Sequence, residues 1–97
     1  MKNLTIKNLT EVCSGTYYGP ETVMDREVSS ITTDSRKIEK DSLFVPIVGE
    51  RVDAHRFIPD VMSKGALVTL SERELENADF PYIQVESSLQ AVKDIAE

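Results

Sequence analysis

The residue pattern predicts a small α/β domain, a mixed β-sheet flanked by helices. Three observations carry this. Segments rich in β-branched residues alternate with segments whose apolar residues recur at helical spacing. The apolar run 43–48 is followed by a helical segment, by Gly65 and by a second strand-like run, 67–70, which is the succession of a parallel crossover. Leu, Ile, Val and Phe make up 27 of the 97 residues, enough for one modest core and above the roughly 20% typical of disordered chains.

The elements follow in chain order. Thr5 is placed to cap a helix whose stripe is Ile6, Leu9, Val12 and Cys13. Gly15 stands where a helix end favours a residue that tolerates positive φ. Thr16-Tyr17-Tyr18 reads as a short strand closed by Gly19-Pro20, with one tyrosine ring inward and one outward. Residues 28–33 read as a strand and Asp34-Ser35-Arg36 as its closing turn. The run 43–48 reads as a buried strand, and Pro46 within it predicts an edge, a bulge or the end of pairing.

Residues 49–55 read as a polar loop. The next helix carries Phe57, Ile58, Val61 and Met62 on one face, with Pro59 in its first turn and Gly65 as its stop. Ser71 is expected to cap a short charged helical turn reaching Glu76. Pro81 opens a strand over 82–85. Ser87 or Ser88 caps a last helix with Leu89, Val92 and Ile95 facing inward. That helix reaches Glu97 with no C-cap signal, which predicts a chain that continues.

Charge and cysteine usage narrow the function. The net charge is −6 with no block of Lys and Arg, which argues against nucleic acid and anionic membrane as partners. From Asp34 to Arg56 five basic residues balance five acidic ones, so the whole excess lies elsewhere. No apolar run approaches the roughly 18 residues of a membrane span, so no membrane insertion is expected. A single cysteine, Cys13, cannot form an internal disulfide and suits a reducing cytoplasm. Its place on an apolar stripe predicts a buried structural thiol.

No His or Cys cluster has metal-ligand spacing, and no G-x-x-x-x-G-K-[ST] loop occurs. Two loops hold the remaining chemistry. One is Thr33-Asp34-Ser35-Arg36; the other runs from Gly49 through Glu50, Arg51, Val52, Asp53 and Ala54 to His55. If their strands are parallel, both loops leave the carboxyl ends of a sheet, where ligands of α/β folds gather. A hydroxyl, two guanidinium groups and free backbone N–H groups can together hold a phosphate or diphosphate. On spacing alone the same residues also read as an Asx-turn and a solvated turn, with Arg36 paired to Asp34 or Asp53 and His55 at a helix start.

At these loops the chain resembles the N-terminal domain of the Mur ligases, enzymes that build the peptide stem of the bacterial cell-wall precursor. The resemblance rests on Asp34-Ser35-Arg36-Lys37, Ser42-Leu43-Phe44-Val45-Pro46-Ile47, Gly49-Glu50-Arg51-Val52-Asp53-Ala54-His55, Phe57-Ile58-Pro59 and Lys64-Gly65-Ala66. Pro46 and Ala54 depart from the more frequent Ala and Gly. The pattern is most like members that add D-alanyl-D-alanine, and shares much with those that add the third stem residue.

The resemblance implies a cytoplasmic three-domain enzyme of which residues 1–97 are the first domain. That domain would bind the UDP end of UDP-N-acetylmuramoyl-tripeptide. A central domain would hold ATP and Mg²⁺ and form an acyl phosphate for attack by D-alanyl-D-alanine. In this chain, Thr33 and Ser35 would contact the uridine and diphosphate. Glu50, Arg51 and Val52 would hold the uracil and ribose, largely through backbone groups. Asp34, Arg36, Asp53 and His55 would brace the loops. No catalytic or metal-binding residue is expected within the chain, so by itself it is expected to be inactive. The alternative from another class is a non-catalytic interaction module of the same fold.

Overall fold

A computed structural model describes residues 4–48, 53–75 and 78–96. The expected mixed α/β architecture is present. Five strands, β1 (Thr16–Tyr18), β2 (Ile31–Thr32), β3 (Leu43–Phe44), β4 (Val68–Ser71) and β5 (Tyr82–Gln84), form one sheet in the order β1-β5-β4-β3-β2. β2, β3, β4 and β5 are mutually parallel, and β1 joins β5 antiparallel at one edge. The carboxyl ends of four strands therefore lie along one side of the sheet. The helices are α1 (Ile6–Val12), α2 (Ile58–Ser63) and α3 (Ser88–Ala96).

Alternation along the strands builds two cores. Leu43, Val45, Val68, Leu70 and Ile83 pack with Ile6, Leu9 and Cys13 of the α1 segment and Ala91 of α3. On the opposite face Phe44 packs with Ile58 and Val61 of α2. The crossover from β3 through α2 to β4 is what places this second layer. Thr69 is fully buried between them, and its hydroxyl is satisfied by backbone carbonyls, including that of Phe44 at 3.2 Å.

Local chemistry sets the helix ends. Thr5 caps α1, its hydroxyl accepting the Asn8 N–H at 3.1 Å. At the other end the Gly15 N–H donates to the Thr10 carbonyl and the Ser14 N–H to the Glu11 carbonyl, a Schellman closure. Ser14, not Gly15, takes the left-handed backbone conformation, with φ 54°. Gly15 is required for a different reason. A Cβ there would lie 2.6 Å from Ile83 Cγ2 and 2.8 Å from the Gln84 carbonyl oxygen. Gly65, at φ +113°, does end α2 as expected, and Pro59 lies in its first turn.

Several expectations are corrected. The strand expected over 28–33 is only Ile31–Thr32. Residues before it turn aside to pair with the entry to α1: Glu27 bridges Thr5, and the Val28 N–H donates to the Leu4 carbonyl. The strand expected over 43–48 stops at Phe44, because Pro46 has no N–H and the last ladder bond is from Val45 to Thr32.

Val12 and Leu89 are 44% and 55% exposed and belong to neither core. On α3 the inward line is Ser88, Ala91, Val92 and Ile95, and Leu89 lies about 100° from Ser88 around the helix. Ser87 rather than Ser88 caps that helix, its hydroxyl accepting the Gln90 N–H at 3.2 Å. Ser71 caps no helix. Its hydroxyl instead closes a turn on the backbone of Arg73, donating to the carbonyl at 2.6 Å and accepting the N–H at 3.2 Å. Glu76 lies outside the described residues.

Candidate functional site

The turn after β2 is built from its own side chains. The Thr32 hydroxyl accepts the Asp34 N–H at 3.1 Å, and Asp34 Oδ1 accepts the Arg36 N–H at 2.9 Å. The Arg36 guanidinium grips both Asp34 oxygens, at 3.1 and 3.2 Å. Its guanidinium and backbone N–H hold the Asp34 carboxyl below the usual carboxylate range, and Asp34 raises Arg36 in return. Lys64 at the end of α2 reaches across to the Ser35 carbonyl at 3.3 Å while pairing with Asp60 at 2.9 Å. The pair expected between Arg36 and Asp34 or Asp53 is thus made with Asp34.

This braced turn lines a cleft of about 580 Å³ with Ala54 and Phe57, at the carboxyl ends of the parallel strands β2 and β3. Thr33, Asp34, Ser35 and Arg36 form one wall. Ala54 and Phe57, from the 3₁₀ turn Ala54–Phe57 that leads into α2, form the other. Neither the Thr33 nor the Ser35 hydroxyl has a hydrogen-bond partner among the described residues. The guanidinium of Arg56 lies 5.5 Å over the Phe57 ring.

Asp53 and His55 are adjacent to this cleft but aim elsewhere. Asp53 Oδ1 accepts both the backbone N–H of His55 at 2.9 Å and ring Nδ1 at 2.6 Å, and Oδ2 pairs with Arg73. The His55 N–H, Arg73 and the imidazole together lower the Asp53 carboxyl to about 2. His55 is buried and its Nε2 accepts the Glu72 N–H at 2.8 Å. The Glu72 carboxylate in turn accepts the Ser88 N–H at 2.7 Å, at the start of α3.

Of the residues expected at the site, the cleft brings together Thr33, Asp34, Ser35 and Arg36. Asp53 and His55 stand behind its second wall. Gly49, Glu50, Arg51 and Val52 lie outside the described residues. Ala54 belongs to the second candidate loop, whereas Phe57, Lys64, Glu72 and Arg73 were not anticipated at the site. Phe57 read as core, and it does pack against the Phe44, Ile58 and Val61 cluster while also lining the cleft; Arg73 read as part of a solvated charged turn. The cleft holds two hydroxyls and an aromatic wall, with no nucleophile–base pair among the described residues.

Away from this cleft, Cys13 is the expected structural thiol. It lies in the α1–α3 core, and burial, reinforced by Asp94, pushes its thiol up to about 11.

Comparison with known proteins points one way. A family model described as "Mur ligase family, catalytic domain" matches residues 27–97. A UDP-N-acetylmuramoyl-tripeptide–D-alanyl-D-alanine ligase of Bacillus subtilis is 32% identical over 95 residues, covering 96% of this chain and 21% of the relative. A UDP-N-acetylmuramoyl-L-alanyl-D-glutamate–2,6-diaminopimelate ligase of Cytophaga hutchinsonii is 44% identical over 75 residues, covering 74% of this chain and 15% of the relative. Among solved structures, MurF from Acinetobacter baumannii superposes with a TM-score of 0.82 at 28% identity, over 94% of this chain and 20% of that one. The chain spans about a fifth of the length of these relatives or less.

Proposed function

The chain belongs to the Mur ligase family as its N-terminal domain, and we propose that it anchors the UDP end of UDP-N-acetylmuramoyl-tripeptide while D-alanyl-D-alanine is joined to the peptide. The observation that carries this is the shared cleft of the Thr33–Arg36 turn with Ala54 and Phe57. The hydroxyls of Thr33 and Ser35 supply donors for a diphosphate. Phe57 and Ala54 supply an apolar wall for a flat base. Glu50, Arg51 and Val52, next in the chain to Asp53, complete the uracil and ribose side of the same reading. Asp34 and Arg36 brace the first wall, and Asp53 and His55 the second.

Binding energy collected at the UDP group would orient the distant stem carboxylate for reaction. Among the described residues nothing fits ATP or Mg²⁺. The sequence has no G-x-x-x-x-G-K-[ST] loop, and the described residues include no His, Cys, Asp and Glu cluster able to hold a metal ion. On this reading acyl-phosphate formation belongs to other parts of a longer cytoplasmic enzyme, and the 97-residue chain alone forms no amide.

The D-alanyl-D-alanine reading is favoured because relatives of that activity align over nearly all of the chain, α1 and β1 included. The higher identity of the shorter diaminopimelate-ligase match favours a second reading, in which the domain serves the enzyme adding the third stem residue.

Titration of the isotopically labelled chain with UDP, followed by amide chemical shifts, tests the site. Perturbations are expected at 33–36, at 50–52 and at Ala54 and Phe57. Shifts confined to 74–79, or none at millimolar UDP, would overturn it. Comparing UDP-linked dipeptide with UDP-linked tripeptide as substrate of the full-length enzyme separates the two ligase readings.

A further inference from the structure

His55 stands at the junction of three segments that leave the carboxyl side of the sheet. Its Nε2 receives the Glu72 N–H at 2.8 Å, so that nitrogen carries no proton. The ring proton must then sit on Nδ1, which faces Asp53 Oδ1 at 2.6 Å. The tautomer follows from the backbone donor, and the imidazole is 4% exposed, so water cannot substitute at either nitrogen. Asp53 is pinned from outside by Arg73, whose backbone is itself closed on the Ser71 hydroxyl. Glu72 extends the chain, because its carboxylate receives the Ser88 N–H at 2.7 Å.

We propose that His55 is the positioning residue of the cleft: locked as the Nδ1–H tautomer, it ties the Ala54–Phe57 wall to Glu72 beyond β4, and through the Glu72 carboxylate to the start of α3. The two nitrogens have separate duties. Nδ1–H orders the turn that begins at Asp53, and Nε2 fixes where that turn sits relative to β4 and α3. The wall carrying Ala54 and Phe57 is therefore referenced to the sheet, although Asp53 and His55 themselves face away from the cleft. Glu72 would pass a displacement of that wall to α3 without any residue of α3 touching the cleft.

The first test needs no nucleotide. In the ¹⁵N-labelled chain, long-range ring correlations of His55 should show a protonated Nδ1 and an unprotonated Nε2. A protonated Nε2 overturns the proposal. The second test separates the two nitrogens. His55→Asn keeps a donor toward Asp53 and loses the acceptor for Glu72, whereas His55→Gln keeps that acceptor. The Asn variant should shift the Glu72 and Ser88 amides and weaken UDP binding about fivefold, the equivalent of one neutral hydrogen bond. The Gln variant should restore both amide positions and most of the affinity. Equal losses in the two variants, or unmoved Glu72 and Ser88 amides in the Asn variant, overturn the proposal. The affinity arm rests on the nucleotide reading above. If wild-type chain binds no UDP, that reading falls, while the tautomer and the two amides still decide the role of His55.

Discussion

Asp53 holds His55 twice, accepting its backbone N–H at 2.9 Å and its ring Nδ1 at 2.6 Å on the same carboxylate oxygen. The second oxygen is taken by Arg73. One carboxylate thus gathers three donors at the start of the turn that walls the cleft. Its acidity is the consequence: the carboxyl falls from an ordinary 3.8 to about 2, led by the backbone N–H of His55.

A pH dependence follows from that shift. A carboxyl whose folded value lies below its unfolded value adds stability above the unfolded value and loses it as pH falls through the folded one. The contribution of Asp53 should be complete above about pH 5 and should fade between about pH 4 and 2. Urea midpoints of wild type and Asp53→Asn should differ by a constant amount near neutrality and converge toward pH 2. A gap of the same size at pH 2 and pH 7 would contradict the assignment.

Ser35→Ala should weaken UDP binding by about 1–2 kcal/mol, the loss of one charge-assisted hydrogen bond to a phosphate oxygen. Thermal stability should not change, since the hydroxyl makes no hydrogen bond among the described residues. Calorimetric titration reads the first and a melting curve the second. An unaltered dissociation constant removes Ser35 from the site.

Gly15→Ala should destabilise the fold by about 1–3 kcal/mol, the range for forcing an extra carbon into a packed interior. The new methyl would meet Ile83 Cγ2 at 2.6 Å and the Gln84 carbonyl oxygen at 2.8 Å. Because those residues belong to β5, the variant should shift amides in β5 and β1 before it touches the cleft. Ser14→Gly, in contrast, should be neutral or mildly stabilising, as it relieves the left-handed φ of 54°. Denaturant midpoints are the check: the Gly15→Ala midpoint should fall and the Ser14→Gly midpoint should not.

Leucines of similar expected standing should behave differently. Leu9→Ala should cost about 2–5 kcal/mol, because Leu9 is fully buried in the α1–α3 core. Leu89→Ala should cost under about 0.5 kcal/mol, because over half of that side chain is already in water. Comparable losses at both positions would mean that Leu89 is covered in solution.

Cys13 should resist alkylation. Its thiol is buried and pushed up to about 11, so at pH 8 little thiolate is available and access is poor. Iodoacetamide at pH 8 should modify the native chain far more slowly than the chain in urea. Equal rates would place the thiol at the surface.

Much of this fold was legible in the sequence because local rules and packing agree. Thr5 before Ile6, Pro59 with Gly65, and the apolar runs around Leu43 and Val68 each carry their signal within a few residues. Where the reading missed, a distant partner decided the matter. Residues 28–30 are as β-branched or polar as a strand requires, yet the segment entering α1 takes Glu27 and Val28 as partners. Leu89 satisfies a helical stripe by type, but the stripe's phase is set by where α3 lies on the sheet.

The site divides in the same way. The turn Asp34-Ser35-Arg36 is self-contained: its bonds span two residues, so composition and order suffice to specify it. The second wall is not. Asp53 and His55 are neighbours in the chain, and their contact was foreseeable, but Arg73, Glu72 and Ser88 lie 17 to 33 residues beyond His55. They meet it only because the parallel sheet brings the ends of β3, β4 and β5 to one side. The sequence by itself determined the kind of fold, the family resemblance and the chemistry of one loop, all of which depend on local order and residue type. The tertiary structure alone decided that Ala54 and Phe57 face Ser35 and that His55 is answered by Glu72, because those contacts depend on strand direction and sheet order.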